Sequence, residues 1–364
     1  MRIAFIGQKG MPSQNGGVET YVNNLAINLA SLGQEVLVYN RYDYLPQPLK
    51  EFKDIKIINK FYVKGKNLAG ISHAFFACLD VIFRPVDIIH FQGIGPSLLL
   101  WLPKLLKPRV KIIATLHSFD YYNDKWSRPA KMMLRLGERQ MCRYADEIIV
   151  LTPSMQNYIK EKYGRETNLI PNGVNLCEEK GNDSLLAWGL TGDNYILSVS
   201  RIIKLKGLQY LIAAFKNLKT DKKLVITGVG EYLKELKKMA ESDKRIIFTG
   251  NQTGRILNQL YANAYLFVQS SEMEGLSTSL LEAMAHKTPC LVSDIEANLN
   301  ALGDTGFSFI SKNIDDLQNK LQYLLDNQGE LEAKRQESFN RVRYNFSWPI
   351  ITQKVLEVYH KLIN

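Results

Sequence analysis

A chain of 364 residues with 46% hydrophobic and 23% charged residues is a folded globular protein too long for one core, so two domains are expected. Its formal charge of +10 and pI near 9.2 favour anionic partners: nucleic acid, anionic lipid headgroups or phosphorylated small molecules. Cys78, Cys142, Cys177 and Cys290 lie far apart without C-x-x-C or metal-ligand spacing, so neither a disulfide framework nor a zinc site is suggested and a reducing compartment fits best.

The first segment, residues 2–7, reads as a buried strand. A polar, glycine-bearing loop over 8–17 follows, and then Val18, Tyr21, Val22, Leu25 and Leu29 recur at helical spacing until Gly33 supplies a stop. The apolar run 3–6 is too short for the core of a signal peptide. Further strands are predicted at 35–40, 87–91, 111–116 and 147–151, with helical stretches between them. The apolar stretch 94–106 is broken by Pro96 and Pro103 and carries Lys104. It falls short of the ~18 residues of a membrane span, so membrane contact is expected to be peripheral.

Periodicity lapses over 175–193, which reads as a linker. A second alternation follows, with strands at 195–200, 223–227, 245–249, 265–270 and 289–293 and helices at 207–218, 232–240, 255–262 and 278–286. The expected class is α/β: two doubly wound, Rossmann-like domains facing across a cleft, with ligands beyond the carboxyl ends of the strands. The domains are drawn at 1–178 and 190–345, with the terminal segment 346–364 packing back on the first.

Three places carry chemistry. Gly16 and Gly17 open the first helix, where bare backbone N–H groups suit a phosphate. Arg201 and Lys206 follow a strand end and flank the next helix, as two cations on a diphosphate would. In Glu274-Gly-Leu-Ser-Thr-Ser-Leu-Leu-Glu282, two carboxylates bracket a helix start. Glu274 can meet a sugar hydroxyl, Glu282 a ribose, and the N–H groups of Leu276, Ser277 and Thr278 the phosphates between them.

These residues, with Pro171-Asn172-Gly173-Val174 and Thr227-Gly228-Val229-Gly230-Glu231, resemble family 4 retaining glycosyltransferases of the GT-B fold over almost the whole chain. The resemblance implies that Arg201 and Lys206 bind the donor diphosphate, Glu282 its ribose and Glu274 its sugar. Asn172, Gly228 and Gly230 join the donor-binding set. His117, at the end of the strand 111–116, resembles the family's histidine near the reacting carbon. Phe346-Ser347-Trp348 and the helix after it look like the family's closing segment. One departure is that His286-Lys287 precede Thr288-Pro289 where the family commonly has a glycine.

Gln8-Lys-Gly-Met-Pro12, Gly16-Gly-Val-Glu-Thr20, Leu116-His-Ser-Phe-Asp120 and Lys125-Trp126 look like a narrower group of bacterial cell-surface polysaccharide rhamnosyltransferases, which makes rhamnose the first sugar to test. The implied reaction is transfer from a nucleotide-diphosphate sugar to a lipid-linked saccharide, with retention and without a cofactor, since no Asp-x-Asp metal motif stands at a strand end. Pro96-Ser-Leu-Leu-Leu-Trp101-Leu-Pro-Lys104-Leu-Leu-Lys107-Pro-Arg109 mixes apolar bulk with cations, as do Lys125, Trp126, Arg128, Lys131, Met132, Met133, Arg135 and Arg139. Both stretches suit an anionic membrane surface, at the cytoplasmic face of the plasma membrane. A nucleotide-sugar epimerase or hydrolase on the same scaffold is the rival. A nucleic-acid-binding protein would leave the glutamates at a phosphate cleft unexplained, so nucleic acid is not an expected partner.

Overall fold

A computed structural model describes residues 1–363 apart from Asn15, Lys66, Asn67, residues 123–125, Cys177, Glu178 and Lys180. Lys125, from the basic stretch, and Cys177 therefore lie outside the described residues. The chain divides into two compact units, Met1–Gly173 with Trp348–Asn364, and Val174–Ser347.

The first unit is built on a sheet of eight strands: β1 (Arg2–Ile6), β2 (Glu35–Arg41), β3 (Glu51–Phe52), β4 (Ile55–Lys60), β5 (Ile88–Gln92), β6 (Lys111–Leu116), β7 (Glu147–Val150) and β8 (Asn168–Leu169). Their order is β3-β4-β2-β1-β5-β6-β7-β8, and all pairings are parallel except β3 with β4 at the edge. Parallel strands covered on both faces read as unbroken apolar runs, and Ile3, Ala4, Phe5 and Ile6 are all fully buried. The helix Gly17–Ser31 buries Tyr21, Val22, Leu25, Ala26 and Leu29. The helix Trp348–Ile363 lays Trp348, Ile351, Val355 and Tyr359 into that same core. The Tyr359 hydroxyl meets His90 Nδ1 at 2.7 Å.

The second unit carries six parallel strands: β9 (Tyr195–Val199), β10 (Lys223–Thr227), β11 (Ile246–Gly250), β12 (Leu266–Gln269), β13 (Cys290–Ser293) and β14 (Phe307–Phe309), in the order β11-β10-β9-β12-β13-β14. Separate apolar clusters cover its two faces. The segment read as a linker behaves otherwise. A 3-10 turn, Asp183–Trp188, tucks Leu185 into this core beside Leu190, both fully buried. Asp183 Oδ1 accepts from Gln259 Nε2 at 2.9 Å and from Arg255 Nη2 at 2.8 Å, so polar side chains pin the turn as apolar ones fill it. The unit boundary consequently falls at Gly173/Val174, and Phe346 belongs to the second core.

In both sheets the strand order changes direction once while the strands stay parallel, between β1 and β5 in the first unit and between β9 and β12 in the second. Loops leaving the carboxyl ends of such a pair diverge and open a crevice there, which is where ligands of doubly wound sheets bind.

Candidate active site

In the second unit the crevice is flanked by the loops after β9 and β12, which are stitched together. Ser270 Oγ donates to the Lys206 carbonyl at 3.1 Å, and the Glu272 N–H donates to that of Leu205 at 2.8 Å. Between them Gly207 adopts φ +66°, and a Cβ there would stand 1.9 Å from the Ser270 carbonyl oxygen, so only glycine allows the closure. Gly228 and Gly230 act similarly on the neighbouring loop, where Cβ atoms would meet the carbonyls of Ser200 and Ile202.

That closure brings Lys206 and Glu274 into contact, with Nζ 2.5 Å from Oε1. The same Oε1 accepts from Gln269 Nε2 and Ser271 Oγ, each at 2.7 Å. One carboxylate oxygen is thus fixed by three donors, leaving Oε2 for a ligand. Arg201 is exposed on the same loop as Lys206. Ser200 Oγ beside it is buried with no hydrogen-bond partner.

Ser277 caps the helix Thr278–Ala285 by accepting from the Leu280 N–H at 3.3 Å. The N–H groups just before, around Leu276 to Thr278, precede the first intrahelical bond and are free for an anion. Glu282 lies about one turn into this helix, half-buried, with Tyr261 OH donating to Oε2 at 2.9 Å. Burial pushes its carboxyl up to about 7, against which the Tyr261 hydrogen bond works. His286 stacks on Tyr261 and pairs through Nδ1 with the Glu282 carbonyl at 2.8 Å. The turn expected to miss its glycine still forms, because Lys287 takes the left-handed conformation at φ 59° and its carbonyl accepts from Arg335 Nη1.

In the first unit the crevice is a cavity of about 500 Å³. Gly7 (φ +123°) at the end of β1 lets the chain pass Gln92, where a Cβ would sit 2.7 Å from a carbonyl oxygen. Gly17 and His117 line this cavity, whereas a Cβ on Gly16 would stand 2.1 Å from Glu19 Oε2. His117 Nε2–H donates to Gln92 Oε1 at 2.8 Å and its ring stands edge-on to Tyr21. Burial holds the imidazole near pKa 3, neutral through the physiological range. Asn172 is buried with Oδ1 unpaired, and Gly173 beside it leaves room for the Trp348 indole.

Sequence reasoning paired the two glutamates correctly with one helix start but missed their holders. Gln269, Ser271 and Tyr261, like Gln92 beside His117, are ordinary polar residues whose role exists only once distant stretches of chain are juxtaposed. Among the described residues no group of three His, Cys, Asp or Glu could hold a metal ion.

Two family models match the chain: Glycosyltransferase Family 4 over residues 15–178 and Glycosyl transferases group 1 over 187–341. The chain is similar to the alpha-monoglucosyldiacylglycerol synthase of Streptococcus pneumoniae, 25% identical over 331 residues that span 84% of this chain and 74% of that protein. It is also similar to the UDP-Gal:alpha-D-GlcNAc-diphosphoundecaprenol alpha-1,3-galactosyltransferase of Escherichia coli, 26% identical over 298 residues, 76% of each. Among solved structures, Anabaena HepE in complex with UDP-glucose matches with a TM-score of 0.81 at 18% identity, covering 99% of this chain and 100% of that one.

Proposed function

This chain belongs to the family 4 glycosyltransferases of the GT-B fold, which move a sugar from a nucleotide sugar, and from that premise we propose that it retains anomeric configuration, needs no metal ion and glycosylates a lipid-linked saccharide. The observation that carries the reading is the Lys206–Glu274 pair at the β9/β12 crossover, beside Arg201 and a free helix start. Glu274 Oε2 accepts a hydroxyl of the donor sugar. Glu282 accepts from the ribose. Arg201, Lys206 and the N–H groups of Leu276 to Thr278 hold the diphosphate.

As the sugar–phosphate bond breaks, negative charge grows on the departing oxygen, where these donors are already aimed. That oxygen takes the acceptor's proton on the same face of the sugar, which gives retention. Anomeric NMR of the product from a donor of known configuration is expected to show the configuration unchanged; an inverted product overturns this mechanism. Because side-chain cations supply the positive charge, turnover is expected to persist in excess chelator. Abolition by chelator with rescue by a divalent ion would replace that account.

The acceptor reading rests on the surface of the first unit. Phe83, Leu105 and Met132 are 87%, 71% and 69% exposed, and Trp101 and Leu106 accompany them. The helices Ala69–Val81, Trp101–Leu106 and Arg128–Tyr144 that carry or adjoin these residues touch in sequence. Arg128, Arg135, Arg139 and Arg143 are exposed on the last of them. Lys104 is committed to Asp146 and Lys107 to the Arg84 carbonyl, so the arginines carry the attraction. Apolar groups fringed by cations suit an anionic bilayer, each cation contributing about 1 kcal/mol. No helix among the described residues is long and apolar enough to cross a membrane.

Two relatives named above make or use glycolipids by their names: a glucosyldiacylglycerol and a diphosphoundecaprenol-linked sugar. The reading puts the protein at the cytoplasmic face of the plasma membrane, in cell-surface polysaccharide synthesis, with a rhamnosyl nucleotide as the first donor to test. Co-sedimentation with anionic liposomes is expected at low salt and to fall as salt screens it. Equal failure with anionic and neutral vesicles removes the membrane from the reading.

A further inference from the structure

Arg41 and Lys9 stand side by side at one end of the first unit's cavity, the Arg41 N–H donating to the Lys9 carbonyl at 2.8 Å. Neither side chain forms an ion pair or a hydrogen bond among the described residues. Arg41 Nε is fully buried and unpartnered; its guanidinium lies over the Tyr62 ring, Cζ 5.1 Å from the centroid, and reaches Gly70. Burial lowers its pKa, the mark of a cation held without adequate compensation.

Two carboxylates share the cavity and neither neutralises Arg41 by contact. Glu19 Oε1 accepts from the Lys9 N–H at 3.1 Å while Oε2 packs at Gly16. Asp120 Oδ1 accepts from Ser118 Oγ at 2.9 Å. Ala69, Gly70 and Ile71 line the same cavity from the 13-residue helix Ala69–Val81, whose first turn carries no acidic residue and whose start has no side-chain cap. Positive potential is therefore concentrated at a half-buried arginine that Glu19 and Asp43 attract from a distance but that no carboxylate contacts. Ala130, Met133 and Leu134 also line the cavity, from the helix Arg128–Tyr144, whose arginines are exposed.

We propose that Arg41 and Lys9 bind a phosphate group of the acceptor, so that this enzyme takes a saccharide attached through phosphate and reads that phosphate in its first unit. The proposal rests on the transferase reading and narrows its acceptor class. A fork of guanidinium donors suits phosphate oxygens, and His117 and Gln92, on the same cavity, remain for the sugar hydroxyl.

Calorimetric titration with inorganic pyrophosphate tests it in a Lys206→Ala background, where the donor's phosphate contact is weakened. Adding Lys9→Gln or Arg41→Gln is expected to raise the pyrophosphate Kd by ~10- to 100-fold, the loss of one charge-assisted contact. An unchanged Kd for both overturns the proposal. Lys9 is exposed, so its variant keeps the fold even if Arg41→Gln does not. Glucuronate competing better than methyl phosphate would also overturn it, in favour of a uronate-bearing acceptor. With either variant in the otherwise native chain, nucleotide-sugar binding is expected to stay at the wild-type level. Its absence already in the wild type would mean that the transferase reading had failed instead. Turnover of a soluble glycosyl phosphate against the same group on a vesicle-borne lipid carrier separates the two sources, and Lys9→Gln is expected to slow whichever one serves.

Discussion

Lys206→Ala is expected to lower turnover by ~10²-fold or more, the scale for losing one preorganised donor at a developing charge. The loss has two parts. The ammonium that meets the departing diphosphate is gone, and Glu274 Oε1 loses one of its three donors. Gln269 and Ser271 still hold the carboxylate, so the sugar-binding contact is expected to loosen rather than vanish. Lys206→Arg keeps charge but not length, and should recover only part of the rate. Steady-state kinetics with the donor varied separates the parts: kcat falls for the charge, and the donor KM rises for Glu274. Wild-type kinetics in Lys206→Ala would remove this pair from the active site.

Glu282→Gln is expected to stabilise the protein at pH 8 while crippling it. The carboxyl sits at about 7 in the fold against 4.5 ordinarily, so between those values the folded state holds a proton that the unfolded chain releases. Wild-type stability contributed by this group therefore falls as pH rises from 4.5 to 7, and is lowest above 7. An amide escapes that cost, which is on the order of 3 kcal/mol, so the variant's Tm should exceed wild type by several degrees at pH 8 and match it at pH 4.5. Donor affinity moves the other way. An ionised carboxylate accepts two ribose hydroxyls where an amide accepts one, and a loss of ~10- to 100-fold is expected by titration calorimetry. Wild-type affinity should also rise from pH 6 to 8 and become flat in the variant. His117, neutral throughout that window, contributes none of the slope. A variant less stable than wild type at pH 8, or equal to it in donor affinity, would sink the assignment.

The sheet strands that matter most were legible because parallel strands buried on both faces leave near-continuous apolar runs: β1, β6 and β10 were found to within a residue or two. Elements without such a run escaped. β3 and β8 are two residues each, too short for any period. The helix Gln328–Asn345 buries only Leu331, Ser338 and Val342, so it has no apolar stripe to read. The supposed linker failed for a related reason. Its Gly, Asn and Asp content is that of a loop, but Leu185 and Leu190 are its anchors, and two leucines among polar residues make no pattern.

At the site, the sequence by itself determined which groups are available: glycines at strand ends, the cations Arg201 and Lys206, and two glutamates spaced across one helix start. Local chemistry suffices there, because a helix start and a strand end are properties of a short stretch of chain. Tertiary structure decided what those groups do to one another. Lys206 and Glu274 are 68 residues apart and meet only because the strand order changes direction between β9 and β12. Glu282 holds its proton only because the surrounding core desolvates it, an effect that the Tyr261 hydrogen bond reduces without cancelling. Arg41, an unremarkable last residue of a strand, becomes a half-buried cation without an ion pair, its Nε sealed off, only where Tyr62 and the helix starting at Ala69 come up against it. Charge and burial are products of neighbours distant in sequence, and no window along the chain contains them.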